Sequence, residues 1–110
     1  MGERRDEMGT RTPWGTADHV KRYAEGVTFY GTPSHGGFKL APQQNAKVPE
    51  ALRRASFCGN GERGWYEEDC DWNIVAFVFP ELFTPAEAVG AREYVKNHYP
   101  AAFAAIKEAS

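Results

Sequence analysis

The chain has 110 residues, 42% of them hydrophobic and 25% charged, with a formal net charge of -2. These totals fit one globular domain able to bury a core without staples. They exclude collagen-like, low-complexity and helical membrane-spanning chains, since uninterrupted apolar runs such as Ile74 to Phe79 are far too short to cross a bilayer.

Taken in order, Met1 to Arg11 mixes charges with Gly and Thr and holds no hydrophobic pattern. It is expected to be a disordered tail, residues 1–11, ahead of a single domain over residues 12–110. The opening M-G-E-R-R-D has no apolar core for a signal peptide and places Asp6 where a myristoylation signal has Ser or Thr, so a cytoplasmic location is expected. Pro13 and Trp14 anchor the chain's entry. Ala17 to Ala24 reads as a strand because Glu25-Gly26 makes a tight reversal into the β-forming run Val27-Thr28-Phe29-Tyr30. After the loop Thr32 to Gly37, Phe38-Lys39-Leu40 alternates and returns as a third strand, which places His35 at a hairpin tip.

Pro42 to Ser56 is expected to be helical in two pieces divided by Pro49, with Val48, Leu52 and Ala55 on one side. Phe57 to Gly64 is glycine-rich and reads as a flexible loop. The stretch Gly64 to Pro80 joins the densest acidic cluster to the six-residue apolar run Ile74 to Phe79. Its alternation fits a strand, but acids in the first turns and a closing Pro80 favour a helix, which is expected over 66–79. Thr84-Pro85-Ala86-Glu87 is a helix start with a capping box, followed by the stripe Ala88, Ala91, Val95 and Tyr99. Pro100 opens a last helix with Phe103 and Ile106 inward. The expected fold class is α+β, a three-stranded antiparallel β-meander packed against a central helix with flanking helices.

Two cysteines, Cys58 and Cys70, match no zinc spacing and are too few for a disulfide scaffold; both are read as reduced, Cys70 as core packing. Charge is distributed unevenly. Basic residues prevail from Pro13 to Ser56, and Glu62, Glu67, Glu68, Asp69, Asp71 and Glu81 face a lone Arg63 from Phe57 to Pro85. Such an acidic surface fits a partner with a basic face rather than DNA.

Five motifs in order, T-P-W-G (Thr12 to Gly15), T-P-S-H-G-G-F (Thr32 to Phe38), N-A-K-V-P-E-A-L-R (Asn45 to Arg53), W-Y-E-E-D-C-D-W (Trp65 to Trp72) and F-P-E-L-F (Phe79 to Phe83), cover nearly the whole chain. Together they resemble an uncharacterised family of small proteins with a domain of unknown function, met on proteobacterial plasmids, phages and other mobile elements. The resemblance implies a genomic setting and carries over no catalytic residue.

Two readings of the chemistry follow. In the first, Trp65, Tyr66, Glu67, Glu68 and Asp71 form an acidic and aromatic surface that binds a protein partner through its basic nucleic-acid-binding groove. With the mobile-element setting, this gives a non-enzymatic counter-defence protein of anti-CRISPR or anti-restriction type, acting stoichiometrically, with no cofactor, membrane or direct nucleic-acid contact. In the second, His35 joins Glu67, Glu68, Asp69 and Asp71 as a small-ligand or metal-dependent enzyme, with Ser34, His35, Gly36 and Gly37 as a ligand loop. The two readings part on whether His35 and the acids converge in one cleft.

Overall fold

The computed structural model describes residues 8–109. The Thr12-Pro13-Trp14-Gly15 segment closes a tight turn in which Thr12 Oγ1 accepts from the Trp14 N–H at 3.0 Å and donates to the Gly15 carbonyl at 2.8 Å. The turn joins two short antiparallel strands, β1 (Arg11–Thr12) and β2 (Gly15–Thr16). Of the expected tail, residues 1–7 lie outside the described residues. Gly9 and Thr10 are already tied to the domain, because the Gly9 N–H donates to the Ala17 carbonyl and the Ala17 N–H to that of Thr10, both at 2.9 Å. Backbone pairing of this kind needs no hydrophobic pattern, so the sequence does not announce it.

The expected meander forms as β3 (His19–Ala24), β4 (Val27–Gly31) and β5 (Gly36–Leu40), with Glu25 and Gly26 reversing the chain at the first turn. A correction concerns its size. A fourth strand, β6 (Trp65–Glu67), pairs antiparallel with β5 and sets Phe38 opposite Tyr66 and Gly37 opposite Glu67. The helix expected over 66–79 is therefore split into β6, a turn through Glu68 to Asp71, and helix α3 (Trp72–Val78). The free edge of β5 decides the matter, since the alternation of Trp65, Tyr66 and Glu67 satisfies a ladder there. No acid occupies the first turn of α3, so the macrodipole argument for a continuous helix does not apply.

Pro49 divides α1 (Pro42–Asn45) from α2 (Glu50–Ala55), as expected. Val48 and Leu52 are buried there, whereas Ala55 is exposed. Residues Phe57–Arg63 are not an open loop but successive 3-10 turns, pinned by Ser56 Oγ, which accepts from the Gly61 N–H at 2.7 Å. Helix α4 (Pro85–His98) carries the expected capping box: Thr84 Oγ1 accepts from the Glu87 N–H at 3.1 Å, and Glu87 Oε1 accepts from the Thr84 N–H at 2.9 Å. Helix α5 (Pro100–Ala109) completes the chain's described part.

Cross-strand partners share a face of the sheet. On one face Val27, Phe38, Leu40 and Tyr66 join Leu52, Ile74, Val75 and Val95 in the core. On the other, Tyr30, Gly37 and Glu67 lie in register, and Trp14 settles over Gly37 with its ring edge-on to Trp65 at 5.7 Å. The β1–β2 hairpin thus covers the face that the helices leave open. Among the described residues no helix is long and apolar enough to cross a membrane.

Candidate functional site

The β4–β5 connection is fixed by one threonine. Thr32 Oγ1 accepts from the His35 N–H at 3.0 Å, and the Thr32 N–H donates back to the His35 carbonyl at 2.7 Å. The same hydroxyl lies 3.3 Å from the Trp14 carbonyl, which holds the His35 loop beside the β1–β2 turn. His35 Nδ1 lies 3.2 Å from the Ser34 carbonyl. A carbonyl accepts only, so Nδ1 is the donor in this contact, and in the neutral ring with that tautomer Nε2 is the nitrogen open to a ligand.

Strand β6 delivers the acids. Glu67, only 8% exposed, accepts from the Asp69 N–H at 2.9 Å, from the Asp71 N–H at 2.8 Å and from the Cys70 N–H. One buried carboxylate thus organises the whole turn, a backbone nest closed by its own side chain. The turn sends Asp69 outward, and its Oδ2 comes to 3.5 Å from His35 Nε2, while Glu68 Oε2 lies 3.7 Å from Nδ1. Ligand atoms of His35, Glu67 and Asp69 all lie within 4.8 Å of one another.

His35 Nε2 and the Asp69 carboxylate face each other at a distance too long for a good hydrogen bond. Two ligands about 2.1 Å from one ion at the tetrahedral angle stand roughly 3.4 Å apart, which is close to that spacing. A carbonyl 3.2 Å from Nδ1, with a carboxylate nearby, is the surrounding that holds the ring of a metal-ligating histidine.

Asp71 ties the other walls to this turn. It is 2% exposed, its Oδ2 accepts from the Phe57 N–H at 2.6 Å, and its Oδ1 accepts from the Tyr99 hydroxyl at 3.1 Å. Burial raises its pKa above the ordinary 3.8, and the Glu67 charge adds to this; the two hydrogen bonds offset only part of it. A raised carboxyl stabilises the fold most below its unfolded pKa, and that contribution fades as pH rises through the folded value. The wild type is therefore expected to lose about 1.4 kcal/mol per unit of elevation across that rise. Asp71→Asn, which keeps an acceptor for Phe57, should lack this part of the slope. Urea melts of both proteins in chelator-containing buffer would show it, and identical slopes would refute the assignment.

The last wall is the C-terminal end of α4. Tyr94 stacks on His98 with ring centroids 3.9 Å apart and planes 13° apart. The neighbouring Cys70 thiol, followed by burial, pushes the Tyr94 phenol up to about 12, and burial with the Asp71 carboxylate beside it pushes the Tyr99 phenol up as well. Between these walls lies an open cleft of about 650 Å³, lined also by Trp14 and Phe57 together with His35, Glu67, Asp69 and Asp71.

The residues expected to bind a partner do not form one surface. Tyr66 is fully buried, with its hydroxyl on Asn45 Oδ1 at 2.6 Å, and Glu67 and Asp71 are buried in the turn; Trp65 and Glu68 are half-buried. In the expected ligand loop, only Ser34 and His35 remain in the connection. Gly36 and Gly37 are buried in β5, where their backbone pairs with Gly31 and Tyr30. Cys70 is exposed and lines the cleft rather than packing in the core. Trp14, Phe57, Tyr94, His98 and Tyr99 join the site without any sequence signal that marks them for it.

A family model described as a domain of unknown function (DUF7007) matches residues 7–110. The chain belongs to the DUF7007 family. No curated protein and no solved structure matches it. In this DUF7007 domain the cleft is where histidine, carboxylate and aromatic side chains meet.

Proposed function

We propose that the domain is a metal-dependent enzyme module acting on a small ligand held in the cleft. Its three protein ligands are His35 Nε2 and carboxylate oxygens of Glu67 and Asp69. The observation that carries this is their convergence within 4.8 Å at the edge of an open cleft. One imidazole and two carboxylates suit Zn²⁺ or Mn²⁺, and three ligands leave coordination positions for water and substrate. An ion so placed polarises a carbonyl-type oxygen and lowers the pKa of a bound water, so the reaction class is hydrolysis or hydration.

Titration calorimetry of chelator-treated protein with Zn²⁺ and Mn²⁺ tests the reading. One ion per chain is expected, with affinity reduced at least about tenfold in His35→Ala and in Asp69→Asn. Absence of binding, or affinity unchanged in both variants, would refute it.

The partner-binding reading has one observation in its favour: Glu68 and Asp69 project from the turn, with side chains 39% and 66% exposed. Stoichiometric inhibition of a host nucleic-acid-handling protein, in the service of a mobile element, would then act through these two acids and Trp65. Charge reversal at Glu68 and Asp69 should abolish capture of such a partner.

A further inference from the structure

We infer that the substrate is a neutral or cationic compound with a flat apolar body and a carbonyl-type oxygen for the metal, and that phosphate esters are disfavoured. This rests on the metal reading above and names its substrate class.

Charge is the first argument. The cleft is bordered by Glu67, Asp69 and Asp71, with Glu68 adjacent, and no Lys or Arg lines it among the described residues. Basic side chains are engaged elsewhere: Arg54 on Glu50 at 2.6 Å, Lys39 over the Trp65 ring at 5.0 Å, Arg92 over Phe103 at 5.3 Å. A divalent ion offsets two carboxylates and leaves the others to repel an anion. The second argument is the helix. Phosphate is held by helix N-termini and by Arg or Lys, whereas this cleft meets the C-terminal end of the fourteen-residue α4, the negative end of its macrodipole.

Phe57 supplies the third argument. The residue is 63% exposed, so the core does not account for it, yet its backbone is fixed by the hydrogen bond to Asp71. An aromatic ring that lines the cleft together with Trp14, Tyr94 and Tyr99 offers a flat ligand a surface to stack on, and the cleft volume suits such a ligand.

The test is calorimetric titration of the Zn²⁺-loaded chain with acetohydroxamate, benzohydroxamate, 4-(aminomethyl)benzohydroxamate and phenylphosphonate. Benzohydroxamate should bind about tenfold tighter than acetohydroxamate. The aminomethyl probe should bind at least as tightly as benzohydroxamate, and phenylphosphonate weakest of the aryl probes. Phe57→Ala should erase the aryl advantage, with its Zn²⁺ affinity serving as the control on the fold. Tighter binding of phenylphosphonate than of benzohydroxamate, or an aryl advantage that survives Phe57→Ala, would overturn the inference while the metal reading stands. Failure of Zn²⁺ to bind would overturn both.

Discussion

Gly37→Ala is expected to destabilise the domain by about 3 kcal/mol, the upper part of the usual range for overpacking. A methyl group at Gly37 would be driven into the Trp14 indole and would stand 2.6 Å from the Tyr66 carbonyl. The indole could swing away at the expense of its contact with Trp65, but the carbonyl belongs to the adjacent strand β6 and cannot move without loosening the ladder. Urea unfolding should show a lower midpoint with an unchanged slope. In Gly37→Ala/Trp14→Ala the two losses should be less than additive, because the double variant has no indole to clash with, while the carbonyl clash remains. Full additivity would mean that Trp14 does not sit on this glycine.

Glu67→Ala is expected to be at least as damaging, about 3 kcal/mol or more. It removes the acceptor for three backbone N–H groups, each bond being charge-assisted, and leaves the Asp71 donor unsatisfied in buried surroundings and those of Asp69 and Cys70 in partly buried ones. Glu67→Gln retains one oxygen and should fall between. Asp69→Asn separates the turn from the site. Asp69 is exposed, so its stability should stay within about 0.5 kcal/mol of wild type while metal affinity drops. Melts and calorimetry on the same three variants would read both effects, and a wild-type melt for Glu67→Ala would show that the carboxylate does not organise the turn.

Elements whose stabilising partners are near in sequence are legible from the residues alone. The reversal at Glu25-Gly26, the division at Pro49 and the Thr84 capping box all depend on residues a few positions apart, and each stands where the local chemistry puts it. The stretch from Trp65 to Phe79 is not legible in the same way. Its pattern satisfies two periodicities, and the choice between them is made by the open edge of β5, which is tertiary information. The same fact explains the site. His35 and the acidic cluster stand out by residue type, but their convergence follows from β6 lying beside β5. Glu67 and Asp71 read as surface charges; their burial is compensated by backbone donors that no side-chain pattern reveals. Trp14, Tyr94, His98 and Tyr99 come from opposite ends of the chain and carry no shared motif.

Strand order in the sheet follows chain order, and this bears on how the cleft comes into being. Pairs between β3 and β4, and between β4 and β5, close short loops, whereas Lys39 to Trp65 and Gly37 to Glu67 close a long one that includes α1, α2 and the 3-10 turns. Closing that loop carries the larger entropic cost, so the last strand docks late on folding and detaches early in partial opening. Amides of β6 and the Glu67 turn should then exchange with solvent before those of β4. The cleft is accordingly a property of the finished fold, and an occupant that bridges His35 and Asp69 would act as a clasp across its latest seam.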